Sequence, residues 1–363
     1  MKSKVMKYIG RAALVLVTFV GAVAIALLLI INSFCSGDAS PAAKKVFVTT
    51  ILETGKLKFI ASIFLSPDEI QAIVDENSMG EFNEEVDDSL IVIGPSGGTS
   101  VGGAIQGSGN GEGQEESKDI EIVEIAGRTF FGTLMIVKDP SRVSLATIYP
   151  WRQTGVSLDV LVNDNKAIAG INGGLYDSSS HSGGRPYGVV VSNGEIQHNE
   201  PQKHQGLVLI GLTEANILEI IDLKNMTAKD VEKLVAERKI RDAVTFQEES
   251  SDKNNHFVQL IINGKERELN GMGSGLNPRT AIGQRADGAL LLLVTDGRGT
   301  SGHLGASASD LINIMSEYGA VNAANLDGGS SSCMYYEGEY LMSSVTFYYA
   351  NSSWPLPFGF IVK

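Results

Sequence analysis

A chain of 363 residues, 43% hydrophobic and 20% charged, has the size and composition for a substantial core, which excludes a wholly disordered protein. Its formal net charge of −13 leaves no basic surface for neutralising phosphates, which excludes a nucleic-acid binder. The acidity is local, since residues 32–127 hold 17 acidic against 5 basic side chains, so it says little about a substrate.

Residues 12–31 form an uncharged run in which Thr18 is the one polar side chain. Twenty residues at helical rise span about 30 Å, the thickness of a bilayer's hydrocarbon core. Lys2, Lys4, Lys7 and Arg11 precede the run, and the next basic residue is Lys44. That asymmetry predicts a single-pass plasma-membrane anchor with a cytoplasmic N-terminus and an extracellular C-terminal domain. The rival is a cleaved signal peptide processed near Ala39-Ser40-Pro41-Ala42; the length of the run favours the anchor. Four units are expected: a basic tip and anchor (1–34), an acidic stalk (35–93), a Gly/Ser-rich linker (94–118) and a working domain (119–363).

In the stalk, Ser66-Pro67-Asp68-Glu69 is a capping-box start with proline at the first helical position, followed by Ile70, Ile73 and Val74 on one face. Nine glycines between Gly94 and Gly113 give a composition that cannot bury apolar surface, so that stretch reads as a tether. Cys35 and Cys333 fall in different units and predict no disulfide; Cys333 reads as a small buried hydrophobe.

Beyond residue 120, apolar runs at 130–137, 167–171, 187–191, 206–210, 257–262 and 289–294 predict strands. Asn193-Gly194 and Asn263-Gly264 are hairpin pairs, and Ala286-Asp287-Gly288 is similar. Helices are predicted at 227–239, capped by Thr227 and Asp230, and at 307–318, capped by Ser307 and Asp310. Many strands without βαβ alternation predict an α+β domain with a mixed or antiparallel sheet and a few flanking helices.

Four segments put polar residues and glycines at strand ends: Asn172-Gly173-Gly174-Leu175-Tyr176-Asp177, Arg279-Thr280, Asp296-Gly297-Arg298 and Asp327-Gly328-Gly329-Ser330. Singly, an Asp-Gly or Asn-Gly pair is a turn and a strand-end arginine a surface ion pair. As a set at strand termini, they can converge on one site held by a rigid sheet.

In their order along residues 120–363, these segments, together with Pro186-Tyr187-Gly188-Val189-Val190, resemble the phosphodiester glycosidase domain of the lysosomal uncovering enzyme and its bacterial relatives. The resemblance implies hydrolysis of the sugar–phosphate bond of a glycosyl-1-phosphodiester, in an envelope or exopolysaccharide polymer. The chain departs from the family at Trp354-Pro355-Leu356-Pro357, where relatives often carry an arginine before the proline of the last strand.

That chemistry needs a carboxylate for an oxocarbenium-like centre and a cation for the diester. Asp296 and Asp327 are the catalytic candidates. Arg279 and Arg298 are the phosphate holders, and Asn172 is a ligand for sugar or water. Gly173, Gly174, Asp177, Thr280, Gly328, Gly329 and Ser330 complete the expected substrate contacts. His303 and His181 are loop histidines near the motifs, readable as general acids or as solvated side chains. No cofactor is expected; Asp177, Asp296 and Asp327 offer oxygen ligands for Ca²⁺ or Mg²⁺, but ligand-loop spacing is missing. The alternative is a non-catalytic tethered module that binds anionic wall or capsule polysaccharide through the same residues.

Overall fold

In the computed structural model, which describes residues 2–36, 40–55, 57–82, 84–94, 119–179, 182–346 and 351–363, the Asn-Gly signals become turns. Asn193 and Gly194 have φ of 51° and 75°, and Asn263 and Gly264 have 55° and 75°. Paired positive φ values are what a two-residue hairpin matching strand twist requires. Except for Gly94, the expected linker lies outside the described residues, and so does His181.

Helix α1 (Lys2–Ser36) is followed by α2 (Pro41–Leu52), α3 (Phe59–Phe64) and α4 (Pro67–Asp75). Strands β1 (Ile120–Ala126), β2 (Phe131–Val137) and β3 (Val143–Thr147) precede α5 (Leu158–Asp164). Next come β4 (Ala169–Asn172), β5 (Val189–Ser192), β6 (Glu195–Asn199), β7 (Leu207–Thr213), β8 (Leu218–Asp222) and α6 (Ala228–Arg238). β9 (Ile240–Gln247) leads into the short β10 (Glu249–Ser250) and β11 (Asn255–His256), then β12 (Gln259–Ile262) and β13 (Lys265–Glu266). β14 (Thr280–Arg285) and β15 (Leu290–Thr295) stand before α7 (Ala308–Glu317). The chain ends with β16 (Ala320–Asn325), β17 (Met334–Tyr336), β18 (Glu339–Met342) and β19 (Phe358–Val362).

Three antiparallel sheets result, ordered β1-β2-β15-β14-β16-β12-β13, β18-β17-β4-β19-β3 and β6-β5-β9-β7-β8, besides the β10-β11 pair. The α+β expectation holds, with antiparallel pairing throughout the described strands. The central strand β15 is buried along its whole length. Leu290, Leu292 and Val294 enter the core between the sheets, while Leu291 and Leu293 pack towards α7. A strand covered on both faces reads as a continuous apolar run, which is why Leu290–Val294 shows no alternation.

All three expected capping boxes form, at Ser66/Glu69, Thr227/Asp230 and Ser307/Asp310. Helix α1 includes a segment, Met6–Cys35, long and apolar enough to cross a membrane. Both cysteines are free and buried.

The segment read as a stalk is a packed unit. Val48, Ile51, Leu52, Ala61, Ile70 and Val74 make a small core of their own among α2, α3 and α4. That core docks on the residues ahead of β14: Leu276 N donates to Thr50 Oγ1 (2.9 Å), and Asn77 Nδ2 donates to the Ser274 carbonyl (2.8 Å). Farther on, Gly80 N donates to the Glu268 carbonyl (2.9 Å) and Val92 N to that of Ala286 (2.8 Å). Val86 and Ile91 join the main core.

Candidate active site

Antiparallel pairing explains how residues far apart in sequence meet. β14 lies between β15 and β16 and runs against both, so its first residues face the last residues of its neighbours. Arg279 and Thr280 therefore share one sheet end with Thr295-Asp296 and Asn325-Leu326-Asp327. Leu326 N donates to the Thr280 carbonyl and Thr295 N to that of Arg279, both at 2.8 Å. Asp296 and Asp327 follow strands two apart, a backbone separation of about 10 Å. β4 brings Asn172 to the same place from another sheet.

Asn172 is fully buried, and its amide is engaged on both sides. Its Oδ1 accepts from Thr280 Oγ1 (2.7 Å) and Cys333 N (3.1 Å), while Nδ2 donates to the Asp327 carbonyl (2.6 Å). Asn172 and Thr280 thus form a strut that fixes the Asp327 loop to the sheet. Asp327 N completes the clamp by donating to the Gly173 carbonyl (3.1 Å).

Asp327 is half-buried as a residue, and burial of its carboxyl pushes the pKa up to about 7. Hydrogen bonds from the Ser331 hydroxyl and Gly328 N–H, and the charge of Arg298, oppose that shift without cancelling it. Ser331 in turn bonds the Tyr176 hydroxyl at 2.9 Å.

The two arginines have different surroundings. Arg279 is 5% exposed, and its Nη2 donates to the carboxylate of Glu53, to Ser274 Oγ (3.1 Å) and to the Gly275 carbonyl (2.8 Å). Its Nε donates to the Ala306 carbonyl (3.1 Å), and the guanidinium lies 4.8 Å from the centroid of the Phe257 ring. Arg298 is exposed; its Nη1 donates to Ser330 Oγ (2.9 Å) and its Nε to Asn277 Oδ1 (3.3 Å). A Cβ on Gly329, whose φ is +64°, would stand 2.6 Å from Arg298 Nη2, so glycine lets the guanidinium lie along the loop.

Asp296 is 7% exposed and uses both carboxylate oxygens. Oδ1 accepts from Phe131 N (2.7 Å), and Oδ2 lies 2.6 Å from His303 Nδ1. The Asp177 carboxylate closes a turn by accepting from Ser179 N (2.9 Å), and the Ser179 bonds hold its pKa below the usual carboxylate range. The close approaches at Gly173 and Gly174 are to the Phe358 ring and the Thr245 carbonyl. Gly329 N donates to the Pro278 carbonyl (2.8 Å), which occupies that N–H. Among the described residues, no cluster of three or more His, Cys, Asp or Glu side chains has the arrangement to hold a metal ion.

Residues 165–363, more than half the chain, match the sequence profile of the phosphodiester glycosidase family. The chain belongs to that family. The catalytic domain of zebrafish N-acetylglucosamine-1-phosphodiester alpha-N-acetylglucosaminidase, solved in a form auto-inhibited by its pro-peptide, is similar in structure. The TM-score is 0.52 at 17% identity, over 68% of this chain and 84% of that one. At that identity the likeness is one of fold. A 65-residue stretch is 43% identical to the SPbeta prophage-derived uncharacterized protein YomE of Bacillus subtilis. That stretch is 18% of this chain and 10% of YomE.

Within this member of the family, the sequence reading missed Glu53. Its carboxylate takes hydrogen bonds from Gly275 N (2.7 Å) and Asn277 Nδ2 (3.0 Å) as well as from Arg279. Burial raises its pKa, and the Arg279 charge pulls it back. A single glutamate at the end of an apolar helix carries no local sign of a partner 226 residues away. His303 and Asp296, by contrast, were both visible candidates, and only their pairing was not.

Proposed function

We propose that this protein is a membrane-anchored hydrolase that cleaves the bond between the anomeric carbon and the phosphate oxygen of a glycosyl-1-phosphodiester. The observation that carries the reading is that the Asp327 carboxyl and the guanidinium of Arg298, an exposed residue, lie within reach of each other's charge on one loop cluster. A carboxyl with a pKa near 7 can give a proton to a leaving oxygen at neutral pH, the tuning that general acids need. Arg298 and the Ser330 hydroxyl supply donors for the diester anion. Asp296 is the second carboxylate, about two strand spacings from the first, which leaves room for water beside the sugar ring. Arg279 acts from behind, fixing the head of β14 through its contacts with Glu53 and the 274–275 backbone.

The apolar helix that includes Met6–Cys35 holds the enzyme in the membrane, and the four preceding basic residues keep the N-terminus in the cytoplasm. The domain then faces outward, where glycosyl phosphates of envelope or exopolysaccharide polymers are its accessible substrates.

The test uses the full chain in detergent with the methyl diester of N-acetylglucosamine-1-phosphate, and methyl N-acetylglucosaminide as the control. Release of free sugar and methyl phosphate from the diester alone is expected. Saturable binding of the diester without turnover would make the protein a non-catalytic polysaccharide-binding module instead.

A further inference from the structure

The hydrolase reading leaves one site histidine without a role. His303 lies on the loop that joins β15 to α7, the loop that also carries Asp296 and Arg298. That loop is folded back on itself rather than trailing in solvent. Arg298 N donates to the Leu304 carbonyl (3.2 Å), Gly299 N to that of His303 (2.7 Å), and His303 N to that of Thr300 (2.8 Å). Its far end is tied to the β1–β2 hairpin, where Gly305 N donates to the Thr129 carbonyl (2.9 Å) and Thr129 Oγ1 to the Gly305 carbonyl (2.8 Å). The imidazole is thus held from its backbone and, at 2.6 Å, from its ring.

The carboxylate also fixes the tautomer. An ionised aspartate only accepts, so His303 Nδ1 carries a proton, and in the neutral ring the lone pair sits on Nε2. Asp296 cannot rotate away without losing the Phe131 N–H on its other oxygen. The His303 side chain keeps 31% of its surface exposed, against 9% for that of Asp296. In this pair, one group is buried with both oxygens engaged, and the other has a ring nitrogen within reach of solvent.

Resting on the hydrolase reading, we propose that His303 is the catalytic base that activates water, with Asp296 as its positioning residue. A water O–H proton passes to His303 Nε2 as the water oxygen bonds the anomeric carbon. The bond from that carbon to the phosphate oxygen breaks, and its electron pair stays on the oxygen. Asp327 gives that oxygen a proton, so a free sugar and a phosphomonoester leave. His303 and Asp327 then exchange protons with solvent and regain their starting states.

The experiment compares the wild-type full chain with His303→Ala, His303→Gln, Asp296→Asn and the Asp296→Asn/His303→Ala double variant on the same methyl diester. Each single variant should lower kcat about 10²–10⁴-fold with little change in KM, the contribution typical of a positioned base. The double variant should lose no more than the worse single one, because the two groups act as a unit. Added imidazole should restore part of the rate to His303→Ala and none to His303→Gln, whose side chain still fills the ring's place. An unfolding midpoint like that of the wild type would accompany these losses. Wild-type kcat in His303→Ala, or a loss that imidazole leaves untouched and that follows a fallen midpoint, would overturn the dyad while leaving the hydrolase intact. A wild-type enzyme that releases no sugar would remove the hydrolase reading and the dyad with it.

Discussion

The head of β14 and the loop after β15 are neighbours in space, and each carries an arginine, yet their surroundings give them different uses. At the head of β14, protein groups engage Nε and Nη2 of Arg279 and one face of its guanidinium: a carboxylate, two carbonyls, a hydroxyl and an aromatic ring. On the loop after β15, Arg298 has a hydroxyl and an amide oxygen as partners and remains exposed to solvent. A buried cation paired with a carboxylate supports the fold, whereas one held by neutral groups at the surface can still accept an anion. The same contrast separates the two aspartates, since Asp296 has both oxygens occupied and Asp327 is held in an environment that favours its protonated form.

Five measurements press on that difference. The largest effect is expected from Asp327→Asn, which should lower turnover of the diester about 10²–10⁴-fold with the fold retained, because proton transfer is lost while the shape is kept. Near-wild-type turnover would move the chemistry away from this loop. Arg298→Ala should follow, at about 10²–10³-fold in kcat/KM, the scale of one lost electrostatic donor. A comparable loss of substrate affinity from a conservative change at buried Arg279, without a drop in stability, would erase the contrast between the arginines.

Glu53→Ala should act on stability. Removing one partner of a buried ion pair costs about 3–5 kcal/mol because the remaining charge is left uncompensated. Chemical denaturation of the full chain in detergent measures this, and an unchanged midpoint would show that Arg279 does not depend on the N-terminal helices. Asp327 itself should leave a mark on the pH dependence of stability. Its folded pKa is raised from 3.8 to about 7, so the native state favours the protonated carboxyl. That contribution is complete below pH 4 and lost as pH rises through 7. Asp327→Asn, which cannot ionise, should therefore gain in Tm over the wild type between pH 4 and 8, and equal Tm differences at both ends would contradict the shift.

The smallest change concerns the segment between the helical unit and the domain. Protease cutting within residues 95–118 should nick the chain without parting it. Residues before 95 and after 118 pack into one body through Glu53 with Arg279, Val92 with Ala286 and the shared core around Ile91. The two fragments should co-elute on size exclusion and separate only in denaturant. Release of a free C-terminal fragment under native conditions would restore the simple picture of a domain on a tether.

What the sequence determined was local. Ser66/Glu69, Thr227/Asp230 and Ser307/Asp310 marked helix starts because a cap needs only a side chain and the backbone three residues on. Asn193-Gly194 and Asn263-Gly264 marked hairpins because φ is a property of the residue itself. The order of motifs named the family, and strand ends named most of the residues that gather at one sheet end. β9 escaped notice because Arg241 and Asp242 interrupt its apolar pattern, and what makes that tolerable is tertiary: the pair bond each other while Asp242 also accepts from Asn193 N at 3.1 Å. Tertiary structure also decided the uses of the site residues. It turned Asn172 into a strut, closed Arg279 behind Glu53, opened Arg298 beside Asp327 and set His303 against Asp296. Propensity and turn chemistry act over a few residues and can be read along the chain. Burial and charge pairing depend on what arrives from elsewhere, and in this protein the carboxylate that seals Arg279 arrives from 226 residues away.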